Sequence, residues 1–164
     1  MGRLSLVTAS GGESPDLAAL RELFMEYVRS VDEPRCFVGF ERELAELPGE
    51  YAPPAGRLLL ARAGAHAAGC VGLRRLDTAT AEIKRLYLRP AYRGMGIGRE
   101  LAQAAIAAAR ETGCARVVLD SLPKMREAIA LYRSLGFRET GPYLAQPTPG
   151  SICFELPLNP RAGA

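Results

Sequence analysis

Between Arg93 and Gly98 the chain reads Arg-Gly-Met-Gly-Ile-Gly, with three alternating glycines at the point where a strand-like segment gives way to a helix-like one. Ala81 to Arg89 has strand character, and Arg99 to Arg110 has helical character. Glycines at such a junction remove the side chains that would hold an anion away from backbone N–H groups. They also leave a helix N-terminus, with its partial positive charge, open to a ligand. Arg93 adds a fixed cation. The chain therefore needs a strand–turn–helix unit whose turn suits a phosphate or pyrophosphate.

Length and composition place that unit in one α/β domain. At 164 residues the chain can bury about two thirds of its unfolded surface. Its 48% apolar and 24% charged residues are ordinary for a globular protein. A net charge of +3 with no Lys/Arg block argues against a nucleic-acid partner. No apolar run is long enough to cross a membrane, and the start lacks a signal-peptide pattern. Cys36, Cys70, Cys114 and Cys153 are widely spaced, without metal-ligand or redox spacing, and read as reduced cysteines of a cytoplasmic protein. One histidine, His66 beside Gly64, reads as a solvated loop residue, so no metal site and no Ser-His or Cys-His catalytic pair is expected.

Periodicity supplies the element order. Arg3 to Ala9 alternates as a strand; Ser14-Pro15-Asp16 then opens a helix with Leu17, Leu20, Phe24, Tyr27 and Val31 along one stripe. A shorter helix through Phe40, Leu44 and Leu47 stops before Pro48-Gly49. Arg57 to Ala63, Ala67 to Leu76 and Ala81 to Arg89 read as an antiparallel meander. After the glycine turn come a helix with Leu101, Ala105 and Ala108 inward, a short buried strand at Val117 to Asp120, and a helix over Met125 to Leu135 stopped by Gly136. Phe137 to Ala145 and Ser151 to Leu158 close the chain as strands.

Two ligands compete for the turn. A dinucleotide fold wants Gly-x-Gly-x-x-Gly with an acidic residue about 20 positions on, and Asp120 stands near that place. Its third glycine position is occupied by Arg99, which fails the packing requirement. Arg93-x-x-Gly96-x-Gly98, by contrast, resembles the Arg/Gln-x-x-Gly-x-Gly/Ala motif of the GNAT superfamily of acyl-CoA-dependent N-acetyltransferases. Leu86-Tyr87-Leu88-Arg89-Pro90-Ala91-Tyr92 is similar to the strand and turn that lead into that motif. Ala128 to Phe137 is similar to the family's helix ending in Leu-Tyr-x-x-x-Gly-Phe. The match spans about residues 66 to 158, and the first 60 residues match in element order only. Seven positions before the motif tyrosine the family often has Asn; here Met125 stands there, and that contact is not carried over.

The resemblance implies an α/β (α+β) fold over residues 1–164: a mixed, mostly antiparallel central sheet of about seven strands flanked by about four helices. It implies acetyl-CoA as cosubstrate, with the backbone of Leu86, Tyr87 and Leu88 receiving the pantetheine arm. The turn residues Arg93, Gly94, Met95, Gly96, Ile97, Gly98 and Arg99 would receive the pyrophosphate. Glu82, eleven positions before Arg93, matches the family's catalytic glutamate, a proton acceptor for the amine. It alternates with Lys84, Leu86 and Leu88 against Ile83, Arg85, Tyr87 and Arg89, and neither face is cleanly apolar. A strand that flanks a ligand cleft or contains a bulge would produce that. Tyr132 would protonate the leaving thiolate. Tyr27, Arg35, Phe37, Arg74 and Tyr143, with Arg85, are nominated for the acceptor site, where several arginines would suit a carboxylate. The implied reaction is acetyl transfer to a primary amine of a small, amino-acid-like molecule. The alternatives are a non-catalytic acyl-CoA sensor and an enzyme acting on protein N-termini or lysines. A homodimer is common among such proteins.

Overall fold

Short polar turns and capped helix ends divide the chain into alternating elements, and a computed structural model describes residues 2–158. After β1 (Leu4–Thr8), α1 (Pro15–Val31) begins where the Ser14 hydroxyl accepts from the Leu17 N–H at 3.1 Å. A 3-10 turn at Pro34–Phe37 leads to α2 (Phe40–Glu46), and a second at Gly49–Tyr51 leads to the meander β2 (Arg57–Ala63), β3 (His66–Arg75) and β4 (Thr80–Leu88). The glycine turn opens α3 (Ile97–Glu111); β5 (Arg116–Ser121), α4 (Arg126–Ser134), β6 (Arg138–Thr140) and β7 (Ile152–Pro157) follow. His66 is therefore the exposed first residue of β3 rather than part of a loop.

The strands form one seven-stranded sheet in the order β1-β2-β3-β4-β5-β7-β6, in which only β4 and β5 run parallel. Helices cover both faces, which is why β2 and β3 read as nearly continuous apolar runs. Leu59, Val71, Ile83 and Leu119 pack with Leu101, Ala105 and Ala109 of α3. Leu58, Leu60 and Cys70 pack on the other face with Leu17, Leu20 and Phe24 of α1. Each fully buried leucine contributes about 1.5–3 kcal/mol. The alanines of α3 let its axis lie close to the sheet.

Two irregularities shape the middle of the sheet. Cys70 pairs with Tyr87 and Gly72 with Lys84, so Val71 faces both Arg85 and Leu86. Arg85 adopts a φ of 60° in this bulge, and its guanidinium is held by Glu43 at 2.9 and 3.0 Å over the Phe37 and Phe40 rings. The extra residue reverses the alternation. Leu86 and Leu88 join Ala81 and Ile83 on the α3 side, whereas Arg85 and Tyr87 join Glu82 and Lys84 on the α1 side. A bulge was one of the two explanations that the mixed faces allowed, and it moves Leu86 and Leu88 off the face that simple alternation from Glu82 would give them.

The second irregularity is a fork. β4 and β5 pair only through Thr80–Arg116, Ala81–Val117 and Glu82–Val118. Beyond that point β5 continues to pair with β7 as far as Ser121, and β4 continues along β3, but the two no longer meet. The expected strand at Phe137 to Ala145 shrinks to β6. Gly141 and Pro142 break it, and the following loop carries Tyr143 back to the sheet.

Candidate active site

At the end of β4 the chain passes through a 3-10 turn at Pro90–Tyr92 into the glycine turn. Gly94 and Gly96 have φ values of 78° and 82°, with no atom within 4 Å of a Cβ at either position. Left-handed backbone rather than crowding therefore requires glycine there. Gly96 is the N-cap of α3 and supplies no side-chain partner to the helix. Among the described residues, no hydrogen bond occupies the N–H groups from Gly94 to Arg99. Gly98 has a different reason: a Cβ there would lie 3.3 Å from Leu88 and 3.7 Å from Leu131. Arg93 is fixed beside the turn, its Nε donating to the Leu88 carbonyl at 3.0 Å and its guanidinium 5.8 Å from the Tyr87 ring. Arg99 turns to α4 and donates to Ser134 Oγ at 2.6 Å.

The diverging strands open a cleft that begins at this turn. Its mouth, about 510 Å³, is lined by Leu86, Tyr87, Leu88, Arg93 and Gly98 on one side and by Met125, Ala128 and Leu131 on the other. Deeper, past Leu86 and Met125, it narrows to about 50 Å³ between Tyr27, Phe37, Lys84 and Arg85 on one wall and Asp120, Ser121 and Tyr132 on the other. Tyr27 and Phe37 meet edge to face at 5.7 Å. Burial pushes the Tyr27 phenol up to about 12, with Arg85 opposing the rise and Asp120 adding to it.

Tyr132 is 6% exposed, its ring packed 5.8 Å from Phe137 and 6.5 Å from Phe154. Burial above all, and then the neighbouring Tyr27 and Asp120, hold its phenol well above the ordinary tyrosine range. Its hydroxyl makes no hydrogen bond among the described residues. It is a proton donor without a protein acceptor.

Glu82 is placed differently. It is fully buried and does not line the cleft. Arg74 Nε donates to one carboxylate oxygen at 2.6 Å and the Tyr143 hydroxyl donates to the other at 2.5 Å. Burial, followed by the Glu82 charge, raises the Tyr143 phenol far above its usual value. Arg74 also bonds Glu50 at 2.8 Å. The three nominated arginines are all neutralised: Arg74 by Glu82 and Glu50, Arg85 by Glu43, and Arg35 by Glu33 at 2.8 Å on an exposed turn. Of the nominated acceptor residues, Tyr27, Phe37 and Arg85 thus line the inner cleft, Arg74 and Tyr143 stand behind it, and Arg35 lies apart. Lys84 and Asp120 line it without having been singled out for the acceptor. Their signal in the sequence is visible only once the fork is known. No group of three or more residues suited to a metal ion occurs among the described residues, and no described helix is long and apolar enough to cross a membrane.

Comparison with known proteins gives consistent results. Residues 17–137 match the family described as Acetyltransferase (GNAT) family. An uncharacterized N-acetyltransferase of Schizosaccharomyces pombe is 34% identical over 146 residues, covering 88% of this chain and 90% of that protein. In structure, an acetyltransferase from Streptococcus agalactiae superposes with a TM-score of 0.77 at 22% identity, covering 93% of this chain and 98% of that one. The structure of yncA from Salmonella typhimurium, solved with its cofactor acetyl-CoA, gives 0.72 at 22% identity, covering 97% and 96%.

Proposed function

The chain belongs to the GNAT family of acetyltransferases, and from that premise we propose that it moves an acetyl group from acetyl-CoA to a primary amine of a small molecule. The observation that carries this reading is the fork itself. At one end stand unpartnered N–H groups and Arg93, and at the other a buried phenol with no acceptor. The residues present fit the cosubstrate. A diphosphate would receive the N–H groups from Gly94 to Arg99, where no Cβ intrudes at Gly94 or Gly96. The mouth lined by Leu86, Leu88, Met125 and Leu131 would take the slender pantetheine arm, its methyl and methylene groups against these side chains. The Salmonella neighbour binds the same molecule.

Bound acetyl-CoA supplies an acyl group already activated as a thioester. The protein's own contributions follow from its geometry. β4 beyond Glu82 offers unpaired main chain along one side of the arm. Tyr132, held protonated by burial, gives a proton to the departing sulfur. Glu82, clamped by Arg74 and Tyr143, ties the loop after β6 to the sheet and so fixes the wall behind the acceptor rather than touching it.

A screen of primary amines and peptides for release of free thiol from acetyl-CoA tests the reading. Release dependent on a small amine is the expected result. A thermal shift with acetyl-CoA but no release with any amine would make the protein a sensor, and release with peptides alone would make it a protein acetyltransferase.

A further inference from the structure

The narrow part of the cleft carries a charge pattern that the family assignment does not explain. Glu82 and Val118 are the last partners where β4 and β5 pair in parallel. Two residues further along, on the same sheet face, β4 presents Lys84 and β5 presents Asp120. They are the first side chains on that face beyond the fork, and both line the inner cleft. Neither takes part in an ion pair or side-chain hydrogen bond among the described residues, and they do not reach each other within 4.0 Å. Both are half-buried. The third charge on these walls, Arg85, is already neutralised by Glu43. Among the described residues, the narrow part of the cleft is thus left with one free cation on one prong and one free anion on the other.

Two half-buried opposite charges facing a narrow space incur desolvation without the return that a partner would give. A ligand that carries an ammonium and a carboxylate close together supplies a partner to each. We propose that the acceptor is an amine that also bears a carboxylate, its ammonium received by Asp120 and its carboxylate by Lys84. The proposal rests on the acetyl-transfer reading of the same cleft. Tyr27 and Phe37 form an aromatic wall beside the two charges and leave room only for a slender molecule.

This placement makes Asp120 the carboxylate in contact with the reacting nitrogen. It takes one proton from the ammonium, directly or through a water. The nitrogen lone pair forms the C–N bond at the thioester carbon, and the C–S bond breaks with its electron pair leaving on sulfur. Tyr132 protonates that sulfur, and the second nitrogen proton restores Tyr132 through solvent. The sum is one ammonium and one acetyl-CoA giving one N-acetyl product, one CoA thiol and one released proton.

The test uses matched pairs, phenylalanine, leucine and glutamate each against its methyl ester, with thiol release as one readout. Calorimetric binding of the free amino acid to the protein saturated with CoA is the other. The wild type should favour at least one acid over its ester by about tenfold or more in kcat/KM, although the ester's amine is the easier to deprotonate. Lys84→Met should bring that ratio to near one and weaken calorimetric binding by about tenfold, with partial recovery in Lys84→Arg. Asp120→Asn should lower kcat by about a hundredfold on acid and ester alike. A thermal shift with acetyl-CoA retained in each variant shows that it is folded, and the wild-type comparison decides if one is not. Acetylation of amines with no preference for acids, or a preference that survives Lys84→Met, overturns the proposal alone. No acetylation of any amine overturns the acetyl-transfer reading with it.

Discussion

A phenol with an aromatic socket and no hydrogen-bond partner behaves differently under mutation from one that holds a fold together. Replacing Tyr132 by Phe keeps the contacts with Phe137 and Phe154 and removes a hydroxyl bonded to nothing described. Folding stability should change by less than about 0.5 kcal/mol, while kcat should fall by about a hundredfold with acetyl-CoA affinity nearly constant. Urea denaturation with steady-state kinetics measures both, and an unchanged kcat returns Tyr132 to the core. At this scale the sequence was partly legible. The motif spacing led to Tyr132 and to the glycine turn. It could not separate free arginines from paired ones, because Glu43 lies 42 positions from Arg85 and meets it only in the fold. Nor could it find Lys84 and Asp120 as a pair, since their relation depends on where two strands part.

Among the elements, α1 is tied to the end of β4 by two carboxylates, Glu22, which accepts from Arg89 at 3.5 Å, and chiefly Glu26. Glu26 accepts from Arg89 at 2.7–3.1 Å and from the Tyr87 hydroxyl at 3.3 Å. The Arg89 hydrogen bond holds its carboxyl below the ordinary range against the opposing effect of burial. A carboxyl depressed in the folded state stabilises fully above its unfolded value, near 4.3, and loses that contribution as the pH falls through the folded value. Glu26→Gln should therefore cost about 1 kcal/mol at neutral pH. Its urea midpoint should run parallel to that of the wild type from pH 8 to 5 and converge with it below about pH 4. A gap that persists unchanged into acid would remove the ion pair from the account. Most elements were readable from periodicity and caps. The bulge was not located, because a non-glycine residue at positive φ carries no local signature at Arg85. β6 was overread because Phe137 to Ala145 contains enough apolar residues to look like a strand, although Gly141 and Pro142 interrupt it.

Across the whole molecule, the ligand that fits the fork should couple to global stability. Acetyl-CoA at 100 times its dissociation constant should add ~2.7 kcal/mol to unfolding, measured as the rise in free energy from denaturant titration with and without it. No rise would detach the glycine turn from its assigned ligand. The fork also settles a problem that every bare strand margin creates. Main chain left unmatched on the outside of a sheet recruits strands from other molecules and invites aggregation. Here the two bare margins face one another at the bottom of a crevice under α1 and α4, so the width of the gap decides who enters. A folded neighbour is shut out and a thin chain is admitted, which lets a protein keep an open seam in its sheet without becoming sticky.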